Sequence, residues 1–334
     1  MIESKVIIVG GGPAGSSCAW KLKQSGAECL VLEQKEFPRE KLCGGLFAPS
    51  VLHKLEIDLI DYPHSLLPFS SFYINIFGVK LRVKGTIYSI RRYEFDHWLL
   101  MRSGVPVKTH KIRNIRKDGD CYIIDNLYRC QYLIGAGGTH CPVYKTFFKC
   151  SSPRRPPSLI VTMEQELPYK WRDKRCLIWF FEKSFPGYSW YIPKADGYLT
   201  IGLGGHLEEL KKNNDNIKTH WNYFLRKLKS LSLVNNSDFN PKGAIYYLKN
   251  DLETGRVDNA FIIGDAAGIA TRDMGEGIYP AVKSGIMAAQ AIVDGTEYSL
   301  EYLPKYSLGL MTGKLLEVCL GINAAMAKIK STMR

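Results

Sequence analysis

The segment that most constrains the fold lies near the start of the sequence, where the apolar run Lys5 to Val9 (KVIIV) leads directly into Gly10 to Gly15 (GGGPAG). The run is typical of a short buried strand, and the residues after it are typical of a helix that stops at Gly26. A second apolar run, Cys29 to Glu33 (CLVLE), predicts another strand. Together they predict a βαβ unit of about thirty residues.

The spacing of the glycines has a physical cause. Gly10 permits the tight turn, Gly12 lets backbone amides approach a pyrophosphate, and Gly15 lets helix and strand pack closely. The phosphates then lie at the positive end of the helix. Glu33 is suited to accept hydrogen bonds from ribose hydroxyls, and its charge would repel a 2′-phosphate. The unit therefore predicts a site for the adenosine of FAD or NAD rather than that of NADP.

A second diagnostic segment, Asn259 to Gly295, begins with a predicted strand at residues 260–263. Gly264 and Asp265 follow at its carboxyl end, where open α/β sheets bind ligands. An aspartate there is suited to a ribityl or ribose hydroxyl, although by itself it is equally well explained as a helix cap or turn residue.

Later in this segment, Gly275 and Gly277 would let a flat ring lie against the backbone. The small-residue helix predicted from about Ile278 to Val293 directs its positive end toward the same place. Such a helix end would stabilise a reduced flavin, which is anionic on its pyrimidine side. The two segments together favour FAD.

Six segments carry a family resemblance and keep the family order. They are GGGPAG with Glu33, PREKLCGG (38–45), RYEFDHWL (92–99), GAGGTHCPV (135–143), GYSWYIP (187–193) and GDAAG with GEGIYPAVKSG (264–285). On these residues the chain is identified as a member of the FAD-dependent geranylgeranyl reductase family, within the superfamily of p-hydroxybenzoate hydroxylase-like flavoproteins. The resemblance implies an α/β fold: a Rossmann-like FAD-binding domain of the GR2 type with an interleaved antiparallel-sheet α+β substrate domain.

The expected division of the chain is discontinuous. The FAD-binding domain is assigned to residues 1–65, 85–150 and 250–310, the substrate domain to 66–84 and 151–249, and a C-terminal helical segment to 311–334. The Pro- and Ser-rich stretch 151–158 is typical of a crossing between domains.

The motifs and the resemblance together specify the expected site residues. Those expected to bind the cofactor are Gly10, Gly12, Pro13, Ala14, Gly15, Glu33, Gln34, Arg39, Lys41, Cys43, Arg92, Gly135, Ala136, Gly137, Gly264, Asp265, Gly275, Gly277 and Ile278. Those expected to contact the substrate are Tyr188, Trp190 and Pro193. No metal is expected.

Two positions depart from the relatives' patterns. The hydroxylases carry Gly-Asp-Gly where this chain has Ala136, Gly137 and Gly138, which argues against their way of handling NADPH. The reductases commonly read Tyr-x-Trp-x-Phe-Pro, whereas Ile192 takes the Phe place here. Flavin halogenases carry a related Trp-x-Trp-x-Ile-Pro, but Tyr188 replaces their first Trp.

Cys43, followed by Gly44 and Gly45, is the candidate catalytic residue. Arg39 and Lys41 would favour its thiolate, and the glycine pair lets the backbone pass close to cofactor or substrate. The resemblance implies proton delivery or substrate contact, and the alternative is an inert buried thiol. Cys141 is a second thiol considered for the same place.

The middle of the chain predicts an antiparallel sheet. Strand-like runs lie at 158–167, 176–183, 188–193 and 198–205. A hairpin signal at 194–197 joins the last two, and an amphipathic segment at 207–231 predicts one or two covering helices. Aromatic residues crowd these strands, and they form either one wall of an apolar pocket or ordinary core packing. They are Trp179, Phe180, Phe181, Phe185, Tyr188, Trp190 and Tyr191.

Composition limits the partners. The formal charge of +13 is spread along the chain, so a solvated basic surface is favoured and no nucleic acid is expected. Nine cysteines without zinc-type spacing, and no apolar run near the ~18 residues of a membrane span, favour a cytoplasmic protein. The C-terminal apolar pattern is interpreted as a core helix with a solvated basic end, and a peripheral helix at a membrane surface is the alternative.

The expected reaction is hydride delivery from reduced FAD to a carbon-carbon double bond of an apolar, isoprenoid or prenyl-lipid substrate, with a proton supplied to the opposite carbon. There is no second nucleotide fingerprint, so NAD(P)H or a redox protein must act as a transient external reductant. The alternatives are a flavin-dependent monooxygenase or halogenase, and a non-catalytic flavin-binding redox or lipid-binding protein. Substrate identity and oligomeric state are left open.

Overall fold

The computed structural model describes residues 1–235, 238–250 and 254–332. Its strands are β1 (Ile2–Val9), β2 (Cys29–Glu33), β3 (Leu46–Phe47), β4 (Leu67–Ile76), β5 (Val79–Ser89), β6 (Val107–Thr109), β7 (Ile115–Asp118), β8 (Cys121–Ile124), β9 (Tyr128–Gly135), β10 (Leu159–Pro168), β11 (Leu177–Phe180), β12 (Gly187–Lys194), β13 (Tyr198–His206), β14 (Lys242–Tyr247), β15 (Arg256–Val257) and β16 (Ala260–Ile262). Its helices are α1 (Pro13–Gln24), α2 (Ser50–Lys54), α3 (Arg92–Arg102), α4 (Leu207–Lys212), α5 (Ile217–Ser230), α6 (Ile278–Val293) and α7 (Leu310–Thr332).

The first sheet contains the βαβ unit predicted from the sequence. Its strand order is β15-β16-β9-β1-β2-β6, and the β7-β8 hairpin joins it beside β9. The contacts from β16 through β9, β1 and β2 to β6 are parallel. Its two central strands β1 and β2 carry apolar runs, residues 6–9 and 29–32, that are almost fully buried, as strands covered on both faces require. The predicted Rossmann-like fold is confirmed.

Helices α1 and α6 cross closely, and this crossing unites the two glycine-rich segments. A Cβ at Gly285 would lie 2.3 Å from the Ala14 carbonyl oxygen, so no larger residue fits there without a shift. A Cβ at Gly264 would lie 2.8 Å from that of Ala14. Segments more than 200 residues apart in sequence therefore meet at the start of α1.

The second sheet has the strand order β14-β10-β13-β12-β11-β4-β5-β3. Its pairings are antiparallel except that between β4 and β11, which is parallel. The β12-β13 hairpin turns at residues 195–197, as predicted. The predicted antiparallel sheet is confirmed in its main part, and the parallel pair arises because β4 precedes β11 by a hundred residues and joins its edge.

The two faces of the second sheet have different partners. Leu199, Ile201 and Leu203 of β13 pack with buried residues of α4 and α5 in one apolar cluster. Side chains alternate along a strand, so residues 200, 202 and 204 point the other way. On that other face, Ile192 of β12 lies 3.0 Å from the position of a Cβ at Gly44, in the loop that follows β2. The second face therefore closes on the loop that follows β2 of the first sheet.

The strands of the second sheet do not coincide with the expected domain segments. Strand β5 runs through the boundary placed between residues 84 and 85, and β3 lies inside the segment 1–65. The assigned spans also include residues 236–237, 251–253 and 333–334, which lie outside the described residues. The division into domains stays a prediction.

The C-terminal helix α7 buries one side and exposes another. Leu316 is 4% exposed and packs against the inner face of the second sheet. A stripe on its outer side consists of Met311, Leu315, Val318 and Ile322, which are between 49% and 87% exposed. The expected basic end falls on side chains outside the described set. Among the described residues, no helix combines the length and apolar character that crossing a bilayer requires.

Candidate functional site

The turn after β1 forms a backbone cradle. Gly10 has a φ of +111°, and a Cβ there would lie 2.4 Å from the Ala136 carbonyl oxygen at the end of β9. A Cβ at Gly15 would lie 1.9 Å from the Gly10 carbonyl oxygen. Side chains at either position would block the close approach of turn, helix and neighbouring strand, so both glycines are required by packing.

Glu33 ends β2 beside this cradle and is 6% exposed. Its Oε2 accepts a hydrogen bond of 2.8 Å from the Gly11 amide, and its Oε1 accepts one of 3.0 Å from the Lys35 amide. Each carboxylate oxygen keeps further acceptor capacity for a ribose hydroxyl. Gln34, the next residue, is exposed.

Arg39 supplies positive charge at the same cradle. Its guanidinium Nη2 lies 3.4 Å from the position of a Cβ at Gly12, and the group stacks on the Phe37 ring at 4.5 Å. The Asp96 carboxylate lies 3.7 Å from its Nη1. A cation held at the amino end of a helix is suited to a pyrophosphate.

Asp265 follows β16 at the carboxyl edge of the first sheet. Its Oδ2 lies 3.4 Å from the Lys41 ammonium, and its Oδ1 lies 3.5 Å from the position of a Cβ at Gly277. The structure thus brings together Lys41, Asp265 and the start of α6, where a carboxylate can bind the hydroxyls of a sugar or ribityl chain.

Arg92 begins α3 and forms a buried two-pronged ion pair with Asp96, at 2.5 and 2.7 Å. Burial lowers the pKa of the Arg92 guanidinium, but Asp96 and the Cys43 thiol more than offset this and raise it above its ordinary value. Arg92 therefore stays charged beside Cys43.

Cys43 is partly buried in the loop 38–45 that follows β2. Its Sγ accepts a hydrogen bond of 3.3 Å from the Gly45 amide. Gly45 has a φ of +66°, and a Cβ there would lie 2.3 Å from the Ile90 carbonyl oxygen and 2.7 Å from the Lys194 ammonium. Gly45 is therefore fixed as glycine by conformation and by contact.

Lys194, fully buried at the end of β12, ties this loop to the second sheet. Its ammonium donates to the Gly44 carbonyl at 2.8 Å, the Ile90 carbonyl at 2.7 Å and the Ser89 hydroxyl at 3.3 Å. Burial lowers the pKa of Lys194. At the other end of the loop, Glu40 pairs with Lys242 on β14.

Two tyrosines of the second sheet reach the loop before α6. The Tyr188 hydroxyl donates to the Met274 carbonyl oxygen. The Tyr246 hydroxyl lies 2.2 Å from the position of a Cβ at Gly275, whose φ is +58°. Burial raises the pKa of both phenols, so both stay protonated. The missing side chain at Gly275 therefore lets the Tyr246 hydroxyl approach the backbone of this loop.

Trp190 lies between these tyrosines and the Cys43 loop. Its buried Nε1 has no hydrogen-bond partner in the described part of the chain, and it lies 3.9 Å from the position of a Cβ at Gly44. Pro193, by contrast, pairs in register with Leu199 on the face packed under the helices, so it does not share the face of Trp190. Tyr188 and Trp190 are brought together, and Pro193 is not.

A cavity of about 50 Å³ opens on this face beside the Gly275 backbone. Its lining includes Phe180, Tyr188, Gly204, Tyr246, Leu316 and Leu320. Aromatic and aliphatic residues form most of the walls, His206, Arg272, Asp273 and Glu317 form the polar part, and α7 closes one side. The cavity is suited to an apolar group near a ring stacked on Gly275.

The two cysteines considered together in the sequence lie in different cores. Cys141 is fully buried in the core of the first sheet, whereas Cys43 packs against the separate cluster around α2 and α3. Burial raises the pKa of the Cys141 thiol, although the backbone amides of Gly137, Val143 and Tyr144 partly offset it. Cys141 acts as a packing residue.

Four residues of the site escaped the sequence analysis: Asp96, Glu164, Lys194 and Tyr246. Asp96 carried a signal, since it follows Arg92 by one helical turn within a motif already noted. Glu164 and Tyr246 lie on alternating strands whose polar positions are typical of a solvent face. Lys194 ends a hairpin strand, where lysine is ordinary. Only the closure of the two sheets buries these three.

The residues present fit a nucleotide-bearing flavin. The glycine cradle with Arg39 suits the phosphates, Glu33 suits the ribose, and Asp265 with Lys41 suits the linking chain. The Gly275 backbone, which lines the cavity, and the start of α6 suit a ring that carries negative charge when reduced.

Comparisons with known proteins agree with this site. Residues 8–59 match the model of an NAD(P)-binding Rossmann-like domain. An uncharacterized protein of Methanosarcina barkeri is 30% identical over 87% of this chain and 75% of its own length. Digeranylgeranylglycerophospholipid reductase 3 of Methanosphaera stadtmanae is 28% identical over 91% of this chain and 82% of its own length.

Solved structures show the same fold. A geranylgeranyl bacteriochlorophyll reductase-like protein of Thermoplasma acidophilum has a TM-score of 0.75 and 18% identity over 98% of this chain and 87% of its own. A flavin-dependent brominase has a TM-score of 0.70 and 19% identity over 92% of this chain and 81% of its own. Because relatives named as digeranylgeranylglycerophospholipid and geranylgeranyl diphosphate reductases match most of its length, the chain belongs to the geranylgeranyl reductase family of flavin-dependent oxidoreductases.

Proposed function

We propose that the protein is an FAD-dependent reductase of carbon-carbon double bonds in a prenyl-lipid substrate. The observation that carries this proposal is the apolar cavity between the Gly275 backbone and the aromatic face of the second sheet. Its mainly apolar walls suit one apolar group of such a substrate beside the ring site. Full-length relatives named for the reduction of digeranylgeranylglycerophospholipids support the substrate class.

FAD is assigned from the two halves of the site. Gly10, Gly12, Gly15 and Glu33 would hold its adenosine diphosphate half. The other residues proposed to contact FAD are Pro13, Ala14, Gln34, Arg39, Lys41, Arg92, Gly135, Ala136, Gly137, Gly264, Asp265, Gly275, Gly277 and Ile278. When bound and reduced, FAD supplies the two electrons as a hydride. The chain's own residues orient the double bond, exclude water and manage the proton.

Cys43, Gly44 and Gly45 are proposed to lie at the reacting end of the cavity. The Lys194 ammonium fixes the Gly44 carbonyl, and Ile192 with Trp190 covers Gly44 from the second sheet. Tyr188 and Trp190 then form the substrate wall, while Pro193 supports the strand from its other face.

The external reductant is proposed to dock transiently, because the sequence carries a single nucleotide fingerprint, which the proposed FAD would occupy. NAD(P)H and a redox protein are the two candidate donors. Stopped-flow reduction of the bound flavin by NADH, NADPH and a reduced ferredoxin would separate them.

The experiment that tests the function starts from the purified protein reconstituted with FAD and reduced with dithionite without oxygen. Prenyl lipids of different chain length and head group are added, and flavin reoxidation and product mass are followed. The proposal expects reoxidation matched by products heavier by two hydrogens. Products that gain oxygen or halogen only in air would instead identify a monooxygenase or halogenase. Ile192 favours testing this alternative, because the related halogenase motif also carries Ile at that place.

The protein could also bind the flavin tightly, transfer no electrons to any of these lipids and form no product with oxygen. This result would identify the non-catalytic flavin-binding alternative. A protein that takes up no FAD would overturn the cofactor assignment itself.

We infer a peripheral contact with a lipid surface through α7. Its inner side, with Leu316 and Leu320, lines the cavity, and its outer stripe of Met311, Leu315, Val318 and Ile322 is exposed. Burying such a stripe at the headgroup boundary would bring the cavity wall next to a lipid substrate.

A further inference from the structure

Glu164 lies in the middle of β10 with 3% of its surface exposed. Within the described residues, its carboxylate has no hydrogen-bond or ion-pair partner. Its oxygens still keep a small accessible surface, so they border free space and not packed atoms. An unpaired carboxylate in such a place is costly when ionised, and the neutral acid is the favoured form.

The register of the sheet aims Glu164 at the substrate wall. Glu164 lies opposite Gly202, and Gly202 lies opposite Trp190, so the three share one face. A Cβ at Gly202 would lie 2.6 Å from the Glu164 Cβ and 2.4 Å from the Trp190 Cζ2. The missing side chain at Gly202 therefore lets the Glu164 acid and the indole edge face each other.

Charges from several elements act on Glu164. Burial is the main reason that its pKa is raised to about 8; the cations of Lys194, Lys41 and Arg92 offset part of the rise, and the Glu166 carboxylate adds to it. The Tyr188 and Tyr246 phenols also lie within electrostatic range and stay protonated. Near neutral pH, Glu164 is thus an acid that holds its proton and can release it.

Cys43 is oriented differently. Its sulfur accepts the Gly45 amide hydrogen bond and lies beside the Arg92 guanidinium. The sulfur is thus engaged by its own loop, whereas the Glu164 carboxylate has no such partner among the described residues.

We propose that Glu164 is the general acid that protonates the substrate carbon opposite the one receiving the hydride; this role rests on the proposed function. Glu164 would give its proton to one carbon, so that its O–H bond breaks and a C–H bond forms there; the other carbon would take the hydride that a bound, reduced flavin can supply, and the π bond would be lost. The carboxylate left behind regains its proton from solvent.

The test compares the wild-type protein with Glu164→Gln and with Glu166→Gln as the matched control. Glu166 lies on the same face, but its carboxylate is already paired with Arg91. The pre-reduced proteins are mixed with a prenyl lipid under anaerobic conditions from pH 6 to 9, and lipid reduction is followed together with FAD affinity. Infrared difference titration of the same proteins, with and without FAD, follows the carbonyl stretch of protonated carboxyls.

We expect Glu164→Gln to slow lipid reduction by about 10²-fold or more with unchanged FAD affinity. It should also abolish the fall in wild-type rate as pH rises through about 8. The infrared band of a carboxyl that ionises near pH 8 should be present in wild type and Glu166→Gln and absent in Glu164→Gln.

A Glu164→Gln protein with the wild-type rate and pH profile would overturn the role of Glu164 and leave the proposed function standing. A wild-type protein that reduces no prenyl lipid would instead refute the function, and the role of Glu164 with it. If the infrared band persists in Glu164→Gln, Glu164 is not the protonated carboxyl, whatever the activity of the variant.

Discussion

At the residue scale, burial of Glu164 couples stability to pH. The raised pKa, from 4.5 to about 8, means that the folded protein keeps a proton that the unfolded chain loses between these values. Unfolding then releases a proton, so the free energy of unfolding falls as pH rises across this window, by at most about 1.4 kcal/mol per unit. We expect Glu164→Gln to gain stability over wild type from pH 5 to 8. Urea unfolding of both proteins at several pH values measures this difference.

Glu166→Gln serves as the control in these unfolding experiments, because it removes a carboxylate paired with Arg91 on the same face. A difference between wild type and Glu164→Gln that stays constant over pH would contradict the raised pKa.

Lys194 is a second residue whose burial has a measurable consequence. Its ammonium makes three hydrogen bonds, two of them to carbonyls of segments that flank the site, Gly44 and Ile90. In Lys194→Met the buried Gly44 and Ile90 carbonyls lose a donor, at a cost of about 1–3 kcal/mol for a group left unsatisfied. The loop should open locally more often, and alkylation of Cys43 by iodoacetamide should become several-fold faster.

Exposed Cys150 provides an internal control for the reagent. Mass mapping should show faster alkylation at Cys43 alone. Equal acceleration at both thiols would indicate general unfolding. An unchanged rate at Cys43 would contradict the role of Lys194 in holding the loop closed.

At the element scale, the turn before α6 depends on Gly275. Its φ of +58° disfavours any other residue by about 1–2 kcal/mol, and a Cβ would also meet the Tyr246 hydroxyl at 2.2 Å. We expect Gly275→Ala to weaken FAD binding by tenfold or more. Titration of the apoprotein with FAD, followed by flavin fluorescence, measures the effect.

Two further variants separate conformation from contact. Gly295 has a similar φ of +67° with nothing within 4 Å of its Cβ position, so Gly295→Ala tests left-handed strain without a clash. Tyr246→Phe removes the hydroxyl and should restore part of the affinity lost in Gly275→Ala. Failure of this rescue would show that the clash is not the cause.

Local rules explain why much of this architecture was predictable. The turn at Gly10, the strand ending at Glu33 and the helix Ile278–Val293 follow from short-range spacing, and each lies where the sequence placed it. The same spacing predicted Gly275, because the requirement is a local backbone conformation.

Glu164 could not be predicted, since its role arises from packing between distant elements. Thr162 and Glu164 alternate with the apolar Val161 and Met163, a pattern typical of a strand with one solvated face. Here that face is closed by the loop 38–45 and by Trp190 across Gly202. The parallel pairing of β4 with β11 escaped prediction for the same reason.

At the scale of the whole molecule, the cavity and the outer surface share one element. Helix α7 lines the cavity with Leu316 and Leu320, while Leu315 and Val318 of its outer stripe are about 60% exposed. A substrate too apolar to diffuse through water must enter from a lipid phase, so the wall that borders the cavity is the natural contact with that phase.

We expect Leu315→Glu/Val318→Glu to reduce cosedimentation with vesicles of mixed neutral and anionic lipid by tenfold or more, because two buried leucine-sized side chains contribute about 3–6 kcal/mol. Reduction of a detergent-dispersed prenyl lipid should be nearly unchanged, since the inner side of α7 is intact. Leu127→Glu, at a 52% exposed position in the turn between β8 and β9, is the control and should sediment as wild type. Equal vesicle binding by all three proteins would place the lipid contact elsewhere on the surface.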